Sequence, residues 1–60
     1  MKKLLIQLQT TSDAQVLVNL ANVTYIYKNT EHSIIIYFLN EKDYLVINMS
    51  FEKFIRNYID

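Results

Sequence analysis

At 60 residues the chain has room for one domain, 1–60, of a size that buries only about 60% of its unfolded surface and usually needs an extra staple. It has no cysteine and one histidine, which excludes a disulfide and a Cys/His zinc site. Six basic and six acidic residues cancel to a formal charge of zero, and their scatter excludes the basic stripe that tracks phosphates, so nucleic acid is not an expected partner.

The opening Met1-Lys2-Lys3-Leu4-Leu5-Ile6 starts like a secretory leader, but Gln7 and Gln9 cut the apolar run below the roughly seven residues such a leader uses. No segment approaches the roughly 20 apolar residues of a membrane span. The expectation is a cytoplasmic protein, with which the lack of cysteine agrees.

Residues 3–9 alternate, with Leu4, Ile6 and Leu8 on one side and Leu5, Gln7 and Gln9 on the other. Residues 15–20 answer with Val16, Val18 and Leu20. Pairing Leu8 with Val16, Ile6 with Val18 and Leu4 with Leu20 predicts a half-buried antiparallel hairpin whose outer face is wet.

Residues 22–28 admit two settings. Simple alternation turns Val23, Tyr25 and Tyr27 inward. A short turn at Ala21-Asn22 instead turns Leu20, Val23 and Ile26 inward and both tyrosines outward. A one-residue slip separates the two. The second is preferred, because it lets Ile26 face Ile34 and Tyr25 face Ile35 across a short turn.

The runs 34–39 and 44–49 are rich in Ile, Val, Tyr and Phe, which suit a pleated surface. With Leu39 opposite Tyr44, one face carries Phe38 with Leu45, Ile36 with Ile47 and Ile34 with Met49. The other carries Tyr37 with Val46 and Ile35 with Asn48. Both faces are sticky. Glycine and proline are absent, so the turns fall to Ser12-Asp13, Ala21-Asn22, Asn29-Thr30-Glu31 and Asn40-Glu41. Asn and Asp tolerate the left-handed region better than other non-glycine residues.

Ser50 reads as an N-cap, Glu52 as first-turn negative charge, and Met49 with Phe54 as a hydrophobic staple. Phe51, Phe54, Ile55, Tyr58 and Ile59 follow helical spacing, so 51–59 is read as an amphipathic helix. A helix this short must dock to survive. The staple needs Met49 inward, which puts Ile34, Ile36, Phe38, Leu45 and Ile47 beneath it.

Val18-Asn19-Leu20-Ala21-Asn22-Val23-Thr24-Tyr25-Ile26-Tyr27, followed by two apolar strands and Ser50-Phe51-Glu52-Lys53-Phe54-Ile55, resembles the small flagellar-operon (FlbD/SwrD-like) family. In that family an Asn and spaced aliphatics precede a hairpin and a short C-terminal helix. The resemblance covers nearly the whole chain and implies a motility setting. The same run is also similar to the opening half of LytTR-type DNA-binding domains. That likeness implies a transcription-related module, with Lys2, Lys3, Lys28, Lys53 and Arg56 on phosphates.

Catalytic chemistry finds little support. His32 sits in a predicted turn beside Glu31, without the further ligands a metal needs. Asp13, Glu31, Glu41 and Asp43 belong to different turns, with nothing apolar around them to raise a pKa. Ser50 has no base and is explained by its cap role. The absence of glycine rules out a glycine-rich phosphate loop, and so small a chain offers little volume for a pocket of roughly 300 Å³ or more. The expectation is therefore not an enzyme, with no catalytic residue, metal or cofactor.

The predicted architecture is mainly β: a five-stranded antiparallel meander, open or closed into a barrel, with one C-terminal amphipathic helix. Its strands are 3–9, 15–20, 23–28, 33–39 and 44–49. The predicted core is Leu4, Ile6, Val16, Val18, Leu20, Ile26, Ile34, Ile36, Phe38, Leu45, Ile47, Phe51, Phe54, Ile55 and Ile59. Tyr25, Tyr27, Ile35, Tyr37, Leu39, Tyr44 and Val46 then gather on the outer face as a predicted interface, because large apolar patches on soluble proteins mark interaction sites. The functional expectation is a protein-interaction module that self-associates as a dimer or larger and regulates or inhibits a larger partner protein, in a motility- or phage-related setting. The alternative is the transcription-related nucleic-acid-binding module.

Overall fold

A computed structural model describes residues 5–39 and 42–60. Strands β1 (Leu5–Gln9) and β2 (Gln15–Asn19) form one antiparallel hairpin, and β3 (Val23–Thr30), β4 (Ser33–Phe38) and β5 (Tyr44–Ile47) form a second antiparallel sheet in that order. The helix follows as one α-helical stretch, α1 (Phe51–Phe54), that widens into π-type turns over Ile55–Ile59. The mainly-β class, the five antiparallel strands and the C-terminal helix are those read from the sequence. Among the described residues the strands do not close into a barrel.

The first hairpin has the register its alternation predicts, with Leu8 opposite Val16 and Ile6 opposite Val18. Leu4, the third expected inner residue, lies outside the described residues. The connection is closed by side chains. Thr10 N–H donates to the Ala14 carbonyl (2.8 Å), and the Thr10 hydroxyl accepts from Ala14 N–H (3.1 Å). Asp13 takes the left-handed conformation, φ 68°, a place where glycine is usual and Asp is among the better substitutes.

The meander is interrupted between β2 and β3. A single 3-10 turn, Leu20–Asn22, redirects the chain there, with the Asn19 side chain accepting from Ala21 N–H at 3.0 Å. The two sheets instead meet where β1 ends. Thr10 bridges to Ile47. Thr11 N–H donates to the Val46 carbonyl (3.0 Å), and Asn48 N–H to the Gln9 carbonyl (2.9 Å).

Within the second sheet the faces are as expected and the pairings are not. Tyr37 stands opposite Tyr44 and Ile36 opposite Leu45, two residues from the expected alignment. The end of β4 is engaged on its other side: Phe38 pairs with Val23, and Leu39 N–H donates to the Asn22 carbonyl at 2.8 Å. Ile26 likewise faces Ile36 rather than Ile34. This is because β3 runs on to Thr30 and turns through Glu31-His32 alone. Hydroxyls do the work of a glycine there, with Thr30 and Ser33 side-chain oxygens 2.8 Å apart and Asn29 donating to Ser33 at 3.0 Å. A bulge between Lys28 and Thr30 takes up the odd residue. Both slips are even, so the period of two returns every side chain to its predicted face. The preferred setting of β3 follows, with Ile26 inward against the core and Tyr25 and Tyr27 exposed.

Inner faces and helix enclose Ile6, Leu8, Val18, Leu20, Ile34, Ile36, Ile47 and Phe54, all buried. Ser50 caps the helix, its hydroxyl accepting from Lys53 N–H at 3.2 Å, and Met49 packs on the core as a staple residue would. Ile59, expected in the core, is 46% exposed. Asp60 N–H donates to the Ile55 carbonyl (2.9 Å), five residues back. That wider turn rotates the last residues off the face an α-helix would present. Tyr58 packs against Phe54 instead, ring centroids 5.1 Å apart.

Candidate interaction surface

The outward side chains of β3, β4 and β5 form two rows. Register brings Tyr25, Tyr37 and Tyr44 into one row and Tyr27, Ile35 and Val46 into the next. Tyr25 and Tyr37 stack with centroids 4.7 Å apart at 21°. Tyr27 stands edge-on to both, 5.4 Å from Tyr25 and 5.6 Å from Tyr37. Tyr44 closes on Tyr37 from the other side at 5.5 Å. These separations lie in the range where aromatic pairs attract beyond simple area burial. The rings therefore hold one another before any partner arrives.

Six of the seven residues expected on this face are thus together. Leu39, the seventh, lies one step past the end of β4, 67% exposed. Tyr25, Tyr27 and Tyr44 are about half exposed, whereas Tyr37, Ile35 and Val46 are half-buried between them. Burial first, then the phenols of Tyr25, Tyr27 and Tyr44, hold the Tyr37 hydroxyl above its ordinary 10.0. The centre of the face stays neutral at physiological pH. None of the six is charged.

The other candidate residues remain apart. His32, Asp13, Glu31 and Asp43 are exposed in separate connections, and Glu41 lies outside the described residues. Among the described residues no three His, Cys, Asp or Glu side chains come together as a metal site would require. Ser50 is occupied by its cap. Lys28, one of the cations suited to phosphate, bridges from β3 to Glu52 on the helix, Nζ to Oε2 3.3 Å. Glu52's own backbone N–H and then Lys28 hold that carboxyl below its ordinary 4.5.

One feature runs against the sequence reading, which left little volume for a pocket. A groove of about 350 Å³ lies between the first half of β3 and the helix, lined by Leu20, Val23, Thr24, Tyr25, Ile26, Phe51, Ile55 and Ile59. Its signal was present in the three-residue spacing of Leu20, Val23 and Ile26, which turns aliphatics toward a helix that does not fully cover them. Its lining offers only the Thr24 and Tyr25 hydroxyls as polar side-chain groups, so it is shaped for apolar contact.

No family model, curated protein or solved structure matches this chain. Among the described residues, no helix is long and apolar enough to cross a membrane.

Proposed function

We propose that this chain is a non-enzymatic, cytoplasmic protein-interaction module that self-associates and docks its tyrosine face onto a larger protein, regulating or inhibiting it. The carrying observation is the uncharged face on which Tyr25, Tyr27, Tyr37 and Tyr44 already contact one another. Tyrosine supplies a broad amphipathic contact at low entropic cost, and rings already packed together lose little further freedom on binding. A motility- or phage-related setting fits the resemblance to the flagellar-operon family.

The reading is tested by affinity capture from the host, with the native chain and a Tyr25→Ser/Tyr27→Ser double variant as baits. A protein retained by the native chain and lost by the variant, with the strand circular dichroism unchanged, supports it. Identical captures by both baits overturn it. The transcription-related reading has less support, because Lys28 is engaged by Glu52. Lys2 and Lys3 lie outside the described residues. Duplex DNA affinity falling steeply with salt would favour it.

A further inference from the structure

We infer that β3 is the self-association edge, and that a second copy of this chain adds its own β3 antiparallel to it, with the two-fold axis passing by Ile26. This deepens the interaction reading and rests on it, since the pairing enlarges the same tyrosine face.

The free side of β3 is the first observation. β3 is the outer strand of its sheet; Val23 N–H closes the preceding turn on the Leu20 carbonyl, and among the described residues no backbone hydrogen bond reaches Tyr25–Lys28 except from β4. An open edge is a template for another strand, and proteins that need to block it use proline, charges or bulges; the two bulges of β3 leave its central stretch open. Here the regular stretch between the two bulges is Tyr25-Ile26-Tyr27-Lys28, and its single charge is drawn aside to Glu52.

The groove is the second. It opens beside this edge on the inner side, lined by Thr24 and Ile26 of β3 and by Phe51, Ile55 and Ile59 of the helix. A strand added to β3 drops its inward side chains into that groove. Directly opposed residues of an antiparallel pair share a face, so a two-fold pairing must centre on one residue. Centring on Tyr27 would set the charge of Lys28 of each copy against the aliphatic Ile26 of the other, whereas centring on Ile26 sets it against the hydroxyl of Thr24. Centring on Ile26 sets isoleucine against isoleucine at the groove. It also pairs Tyr25 with Tyr27 of the second copy, twice, continuing the aromatic row. The two Lys28 residues then lie four positions apart across the axis, about 13 Å, beyond the roughly 8 Å screening length at physiological salt.

Area is the third. With about 200 Å² per tyrosine and about half of Tyr25, Tyr27 and Tyr44 exposed, one face with Leu39 offers on the order of 400–500 Å². A stable interface takes about 800 Å² per partner. One copy falls short. Two sheets of three strands joined through β3 place both faces side by side and roughly double the area, reaching that size.

The Ile26 axis brings Lys28 of the second copy to Thr24, which is exposed in the bulge at the end of the regular stretch, and this makes a register-specific test. Sedimentation equilibrium of the full chain is measured for native, Thr24→Lys, Thr24→Glu and Tyr37→Lys forms. The native chain is expected at about twice 7.2 kDa at high micromolar concentration. Thr24→Lys weakens the dimer about tenfold and Thr24→Glu tightens it about threefold, and the spread narrows in high salt. A native monomer at every concentration overturns the proposal, as do equal dissociation constants for the two Thr24 variants. Dissociation by Tyr37→Lys with the Thr24 pair unchanged shows that copies meet face to face, which also overturns it while leaving the interaction reading intact. Identical captures by the native chain and the tyrosine double variant, with the native chain dimeric and the Thr24 pair split as expected, count against that reading and not against the edge.

Discussion

The two sheets share one inner logic and differ on the outside. In both, alternate residues enter a common core: Ile6, Leu8 and Val18 from the hairpin, Ile34, Ile36 and Ile47 from the three-stranded sheet. Outside, the hairpin shows glutamines, with Gln7 bonded to Gln15 and Gln9 to Asp13, and two exposed leucines, Leu5 and Leu17, each opposite a polar residue. The other sheet shows tyrosines in mutual contact. Exposed apolar residues scattered singly are ordinary, whereas a packed group of them is a surface with a use. Arrangement separates the two faces more sharply than composition does.

The largest expected effect removes what both sheets lean on. Phe54 is fully buried, and Phe54→Ala should cost about 3–5 kcal/mol, enough to unfold most of so small a domain. Thermal denaturation followed in the far ultraviolet should show both sheets melting early together; a native-like melt would mean that the helix is dispensable. Next, Leu17→Thr on the hairpin's outer face should move stability by no more than about 0.5 kcal/mol and leave the sedimentation of the chain unchanged. Equal disturbance from Leu17→Thr and Tyr27→Thr would erase the distinction between the faces. The smallest effects are in pH. Tyr37 has a raised folded pKa, so its contribution is present below 10.0 and is lost as pH rises through 10 and above; Tyr37→Phe should flatten that alkaline arm. Glu52 has a lowered one, so its contribution is present above 4.5 and is lost as pH falls below it, and Glu52→Gln should flatten the acid arm.

Much of this was legible from residue types alone. The inward aliphatics and the outward tyrosines follow from alternation, and the cap from Ser50 before Phe51. Ile26 could be set inward because Leu20, Val23 and Ile26 lie three apart. The pairing offsets were not legible, since a shift of two leaves every face intact and so leaves no trace in the hydrophobic pattern. What decides them is local and non-repeating: the hydroxyl cluster of Thr30 and Ser33, and the engagement of Phe38 and Leu39 by Val23 and Asn22. The widened helix end that exposes Ile59 is not legible for a similar reason, because apolar spacing cannot report an i→i+5 bond. The tyrosine cluster was predicted as a set; its stacking geometry depends on the offsets and could not be.

The join at Thr10 has a consequence for how the molecule opens. Two main-chain contacts, from Thr11 and Asn48, link the sheets beside the Thr10–Ile47 bridge. Amide hydrogen–deuterium exchange at Thr11 and Asn48 therefore reports whether the chain breathes as one unit or two. Protection there equal to that of Ile36 means a single cooperative opening. Faster exchange at both, with the strand centres still protected, makes the hairpin a flap that can lift while the aromatic sheet stays folded.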